Sequence, residues 1–157
     1  MNKKELYAYL AGIVDGEGYV GIKKTNNRSD CINPQYHERI QIRMIDEGCI
    51  KLFKETFGGS YYKETEHSKY SKRPLYCYQS SDRMASQIIK ILLPYLIIKS
   101  RQAVLILKLR KSKESKESRL RGSPSRRPMK PKIVKLRESY YQQIKQIHKG
   151  GDIQYGM

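Results

Sequence analysis

Along this chain the spacing of apolar residues switches between the helical period and the strand period. Lys4 to about Asp15 reads as a helix. Tyr19 to Arg28 then alternates, with Gly21, Lys23, Thr25 and Asn27 on one face and Val20 and Ile22 on the other. "NNRSDCINP" (Asn26–Pro34) has the composition of a turn. Gln35 to Ile45 is the clearest strand: His37, Arg39, Gln41 and Arg43 alternate with Ile40, Ile42 and Met44. Asp46 suits the cap of a helix that turns Ile50, Phe53 and Phe57 toward a core and ends at Gly58-Gly59. A second cycle follows. "SYYKETE" and "LYCYQSS" read as strands, Asp82 as the cap of a helix through Leu93, and Pro94 as its stop. Further helices are expected from about Lys99 to Lys111, with Ala103, Ile106 and Leu107 inward, and from Ile133 to His148. The order α-ββ-α-ββ-α plus helices predicts an α+β fold with one four-stranded antiparallel sheet. Residues 1–111 would form its core, 112–132 a basic arm, and 133–157 a helix and tail completing the same domain.

Charge narrows the possible partners. Among 157 residues, 32 are Lys or Arg and 15 are Asp or Glu, a formal +17. That excess points to a polyanion, nucleic acid before anionic membrane. The longest apolar run, "IIKILLPYLIIK" (Ile88–Lys99), is broken by Lys90 and Pro94 and is well short of the ~20 residues of a membrane span. No long apolar stretch precedes Asp15, so neither secretion nor membrane insertion is expected and the protein should be intracellular. Cys31, Cys49 and Cys77 form no CxxC pair, and His37, His67 and His148 have no metal-ligand spacing. Between Lys108 and Arg137 there are thirteen Lys or Arg and two Glu, most of the excess charge. Arg119, Arg121, Arg126, Arg127, Lys130 and Lys132 are therefore candidate phosphate clamps.

The polar strand faces carry unusual cargo. Tyr19, Lys23, Thr25, Asn27, Gln35, His37, Arg39, Gln41 and Arg43 share one face, with Arg28 at its end. Solvent exposure would explain polarity, but not so many long hydrogen-bonding side chains with so few acids. Arg, Lys, Gln and Asn read base edges in the major groove, which admits a β-ribbon. Tyr62, Arg73 and Gln79 are further candidates in the second pair of strands. Ten strand residues span roughly 33 Å, on the order of 10 base pairs of duplex. A long site needs two such sheets, which a two-fold dimer on a roughly palindromic target would supply.

The first helix is odd. Ala8, Gly12 and Gly16 recur four residues apart, with Ala11 also small, so another helix could approach closely, most simply that of a second copy. Asp15 and Glu17 stand where the helix should end, beside its negative dipole. In such a dimer two Glu17 carboxylates at ~6 Å would repel by about 3 kcal/mol at an effective dielectric of ~20. Divalent cations with hard oxygen ligands, Mg²⁺ above all, would relieve this and could serve phosphodiester hydrolysis.

"LAGIVDGEG", Leu10 to Gly18, resembles the signature of the LAGLIDADG homing endonucleases, departing at Ile13, Val14, Gly16 and Glu17. The motif occurs once, as in the homodimeric branch. "LPYLIIKSRQA", Leu93 to Ala103, resembles the family segment that ends a helix at Pro and then presents a basic residue, here Lys99, with Arg101 two positions on. The resemblance implies the αββαββα fold and site-specific double-strand cleavage of DNA with Mg²⁺ or Mn²⁺. It implies Glu17 and the Gly16 carbonyl as metal ligands, and Lys99 acting on the attacking water or the phosphate. It further implies an intron-encoded protein in the cytoplasm or an organelle of its host. The family often has a polar, water-ordering residue near the end of the second strand. That slot holds Met44 here, leaving Arg43, Asp46 or Lys51 to replace it. Two other readings use the same surface: a maturase that binds intron RNA, and a DNA-binding regulator without catalysis.

Overall fold

The computed structural model describes residues 1–25, 32–64, 73–115 and 128–150. Helix α1 (Lys3–Glu17) starts at a capping box in which Asn2 and Glu5 each accept the other's backbone N–H, at 3.0 and 2.9 Å. It feeds β1 (Gly18–Thr25), which pairs antiparallel with β2 (Gln35–Met44). Asp46 caps α2 (Glu47–Phe57) as expected, accepting the Cys49 N–H at 2.6 Å, and Gly58 and Gly59 follow with positive φ. Strands β3 (Ser60–Glu64) and β4 (Leu75–Ser81) complete one antiparallel sheet in the order β1-β2-β4-β3. Then come α3 (Asp82–Leu92), a 3-10 turn (Leu93–Tyr95), α4 (Ser100–Glu114) and α5 (Pro131–His148).

Alternation places the core. Tyr36, Glu38, Ile40 and Ile42 of β2 are buried beneath the helices with Val20 and Ile22 of β1. Leu10, Ala11 and Val14 of α1, Ile89 and Leu92 of α3, and Ala103, Ile106 and Leu109 of α4 close over them. Helix α5 lies along α4 and the β1 edge. Ile144 is buried there, and Glu138 accepts from Lys24 at 2.7 Å and from the Tyr36 hydroxyl. Burial alone would raise the Glu138 carboxyl, but these hydrogen bonds, one from Gln142 and the Lys24 charge outweigh it and hold it at about 2.

Several boundaries differ from the sequence expectation. Helix α4 runs three residues past Lys111, because Arg110 and Lys113 pair with the fully buried Glu38 at 2.9 and 2.6 Å and tie the last turns to the sheet. Leu105 and Leu109 are buried while Leu107 is only partly so. Helix α5 begins at Pro131, where a missing N–H costs nothing, so Lys132 belongs to its first turn rather than to an arm. Asp82 does not cap α3. Ser81 holds that position without a side-chain hydrogen bond, and Asp82 takes a φ of +53° that sends its carboxylate to His37 and Lys113.

Candidate active site and nucleic-acid interface

The two acids at the end of α1 face different ways. Asp15 is buried; its carboxylate accepts the backbone N–H groups of Ile97, Ile98 and Lys99 at 2.7, 3.2 and 2.9 Å. It thereby caps the approach to α4, whose own cap position, Lys99, has no capping side-chain bond. Lys99 returns the favour: its ammonium donates to the Val14 carbonyl at 2.8 Å and to that of Asp15. No basic residue stands in the last turn of α1, so this lysine supplies the positive charge the helix end lacks. Gly18 completes the junction, since a Cβ there would stand 2.7 Å from the Val14 carbonyl oxygen.

Glu17, two residues beyond Asp15, is exposed and close enough to act on Lys99 electrostatically. Burial pushes the Lys99 amine below the usual lysine value, while the Asp15 and Glu17 carboxylates pull it back up. Next to Glu17, Gly16 is exposed, and so are Gly12 and Ala8 one and two turns back. A Cβ added at Gly12 or Gly16 would touch nothing within 4 Å. Ala11 corrects the expectation of an interface residue: it is fully buried in the protomer's own core, since α1 turns it inward with Leu10 and Val14.

The sheet gathers the expected DNA-facing residues on the side opposite the helices. Tyr19, Gly21, Lys23 and Thr25 stand opposite Gln41, Arg39, His37 and Gln35, and opposed residues share a face. Gln79 continues this face beside Gln41, and Tyr62 lies beside Cys77, itself opposite Arg43. Tyr19 sits at the β1 edge with its ring 5.0 Å from that of His148, its hydroxyl over the bare Gly21. Arg73 is exposed just before β4, Arg101 is exposed in the first turn of α4, and Lys130 and Lys132 are exposed at the start of α5. Asn27, Arg28, Arg119, Arg121, Arg126 and Arg127 lie outside the described residues.

Met44 packs against the core on the helix-covered side, so its side chain does not face DNA. Of its three possible replacements, Asp46 caps α2, Lys51 pairs with Glu47 at 3.1 Å, and Arg43 pairs with Glu64 on the polar face. Sequence reasoning missed the capping task of Asp15 and the buried Glu38. The signals were an uncapped helix start at Lys99-Ser100 and an acid at an inward position of β2.

A family model described as LAGLIDADG endonuclease matches residues 10–121, most of the chain and both ends of the junction. The chain belongs to that family. Members are metal-dependent DNA endonucleases. The fold agrees with solved structures of homing endonucleases. I-CvuI in complex with its target in the presence of Ca is 16% identical, with 88% of this chain and 98% of that chain covered and a TM-score of 0.60. The archaeal intron-encoded I-Vdi141I complexed with DNA is 12% identical over 88% and 98%, also at 0.60. I-SmaMI bound to uncleavable DNA is 19% identical over 96% of this chain and 45% of its own, at 0.64. A comparison with curated protein sequences found no match. No helix among the described residues is long and apolar enough to cross a membrane.

Proposed function

We propose that this chain is a homing endonuclease that acts as a homodimer, cutting both strands of a long, roughly palindromic DNA site. The observation that carries the reading is the exposed Glu17 beside the half-buried Lys99 amine, at the rim of a helix face left bare by Gly12 and Gly16. A glycine inside a helix costs roughly 0.5–1 kcal/mol relative to alanine, and space in the protomer does not require it here. Close approach of a second α1 does, with Ala8 on the same face.

The donor set fits a hard divalent cation. Among the described residues no three His, Cys, Asp or Glu side chains cluster as a metal cage, and at this helix end Asp15 is taken up by backbone N–H groups, so one protomer offers Glu17. Glu17 and the Gly16 carbonyl are oxygen donors of the kind Mg²⁺ or Mn²⁺ accepts alongside waters and phosphate oxygens. When bound, such an ion stabilises charge on the phosphate and lowers the pKa of water. Two copies of α1 bring one Glu17 to each strand. Lys99, held by the Val14 and Asp15 carbonyls and with its proton loosened by burial, exchanges a proton with the attacking water or steadies the phosphate. Arg101 contacts the backbone nearby. Lys23, Thr25, Gln35, His37, Arg39, Gln41, Arg43, Tyr62 and Gln79 face the major groove, flanked by Tyr19 and Arg73. The basic residues before and at the start of α5 clamp phosphates, and the compartment is the one holding the host's intron-bearing DNA.

The test separates binding from cutting. Footprinting of randomised duplexes with Ca²⁺ should select one site protected on both halves, and Mg²⁺ should then cut it. Protection without cutting would point to a regulator, and preference for intron RNA over duplex DNA to a maturase.

A further inference from the structure

Four of the five outward residues of β2, His37, Arg39, Gln41 and Arg43, share a feature that, among the described residues, those of β1 lack. Each is held from the β3–β4 side of the sheet. His37 Nδ1 lies 3.0 Å from a carboxylate oxygen of Asp82. Arg39 donates to the Gln79 Oε1 at 2.7 Å. The Gln41 amide donates to the Cys77 sulfur at 3.2 Å. Arg43 donates to the Glu64 carboxylate. Two of these partners are costly where they stand. Asp82 adopts a left-handed φ of +53° and forgoes capping α3, a conformation that costs of order 1 kcal/mol or more in a non-glycine residue. Glu64 places a negative charge on a face proposed to meet phosphates.

We propose that Asp82, Gln79, Cys77 and Glu64 are positioning residues that fix the four β2 side chains as a preorganised row for reading bases, and so determine target specificity. This rests on the assignment of the polar sheet face to DNA. Long side chains lose up to about 2 kcal/mol of rotamer entropy when a contact orders them; side chains already held lose less, and only in one geometry. Sharper discrimination follows, because a wrong base leaves a fixed donor unpaired. On β1, Lys23 and Thr25 have no such props among the described residues, so they meet the groove less preorganised.

Geometry orders the effects. Same-face residues on a strand are about 6.6 Å apart, close to two base pairs at about 3.4 Å each. The row from His37 to Arg43 therefore spans about six base pairs of each half-site, touched at every second pair. Asp82 props one end and Glu64 the other, with Gln79 and Cys77 between.

Selection from randomised duplex DNA in Ca²⁺ tests this, with wild type beside Asp82→Asn, Gln79→Ala, Cys77→Ala and Glu64→Gln. The Asp82, Cys77 and Glu64 variants should keep affinity for an unselected duplex within about threefold, and every variant, Gln79→Ala included, should lose preference at one or two positions. The affected positions should march along the half-site in the order 82, 79, 77, 64, and Cys77→Ser should restore part of what Cys77→Ala loses. Loss of preference at scattered positions, or none, would overturn the proposal. Failure of the underlying reading looks different: Gln41→Ala and Arg39→Ala would then leave the selected sequence unchanged as well. Thermal melting of each variant separates misfolding from lost readout, and a variant that melts like wild type with unaltered preference counts against the row.

Discussion

Asp15 and Glu17 are two residues apart in the same helix end, yet they belong to different regions. Asp15 is buried in a junction where its carboxylate accepts three N–H groups and Lys99 answers the carbonyls of α1. Glu17 stands on an open rim with bare helix face beside it. The junction is complete within one chain; the rim is complete only against something else. The lesson is that an acid's position in a motif does not give its task. The hydrogen-bond donors around it do, and here they divide one pair of carboxylates into a structural residue and an exposed one, which we propose for metal.

The sharpest break of this contrast is a pair of single substitutions. Asp15→Ala strands three partly buried backbone N–H groups, each costing up to about 1–3 kcal/mol when fully buried and unpaired, so unfolding in urea should show a loss of about 2 kcal/mol or more. Glu17→Gln should leave stability within about 0.5 kcal/mol, as an exposed change does. Equal losses from both would erase the distinction. Next in size, Lys99→Met should cost about 1–2 kcal/mol and also depress cleavage, since the lysine belongs to both regions. A variant that melts lower but cuts normally would confine Lys99 to the junction.

Gly12→Leu tests the rim from the other side. A Cβ at Gly12 meets nothing within 4 Å in the protomer, and leucine is about 0.8 kcal/mol better than glycine in a helix. A more stable protomer that dimerises at least tenfold more weakly in sedimentation is therefore expected. An unchanged dimer would move the interface off this face. The smallest effect concerns pH and the α5 clasp. The Glu138 carboxyl is lowered to about 2, so the unfolded chain binds its proton more readily. Its contribution is present above the ordinary glutamate range and is lost as pH falls toward 2. Glu138→Gln should thus lower Tm by a few degrees near neutral pH, with the gap to wild type closing in acid. A gap independent of pH would assign the effect to packing.

Much of this was legible in the chain because periodicity carries the elements. The alternation in "HERIQIRM" placed β2 and its polar face, and Asp46 and Gly58 marked the ends of α2. What escaped was long-range and polar. Nothing in the local pattern told that Asp82 would prefer His37 and Lys113 to its own helix, since a helix cap and a cross-element partner look alike in sequence. Ala11 read as interface because small residues cluster around it, whereas the hundred degrees between successive helix positions turn it inward while Gly12 faces out. Glu38 drew the end of α4 further along than composition suggested, through two cations that arrive from over seventy residues away.

The central claim is that Glu17 serves chemistry and not structure. The most direct measurement is double-strand cleavage of the selected DNA site with Mg²⁺ and with chelator, wild type beside Glu17→Gln, each shown to bind that site in Ca²⁺. Cutting by wild type in Mg²⁺ alone is expected. With Glu17→Gln a loss of at least about a thousandfold, near 4 kcal/mol of barrier, should accompany nearly unchanged binding. Metal-dependent cutting that survives in Glu17→Gln would contradict the account.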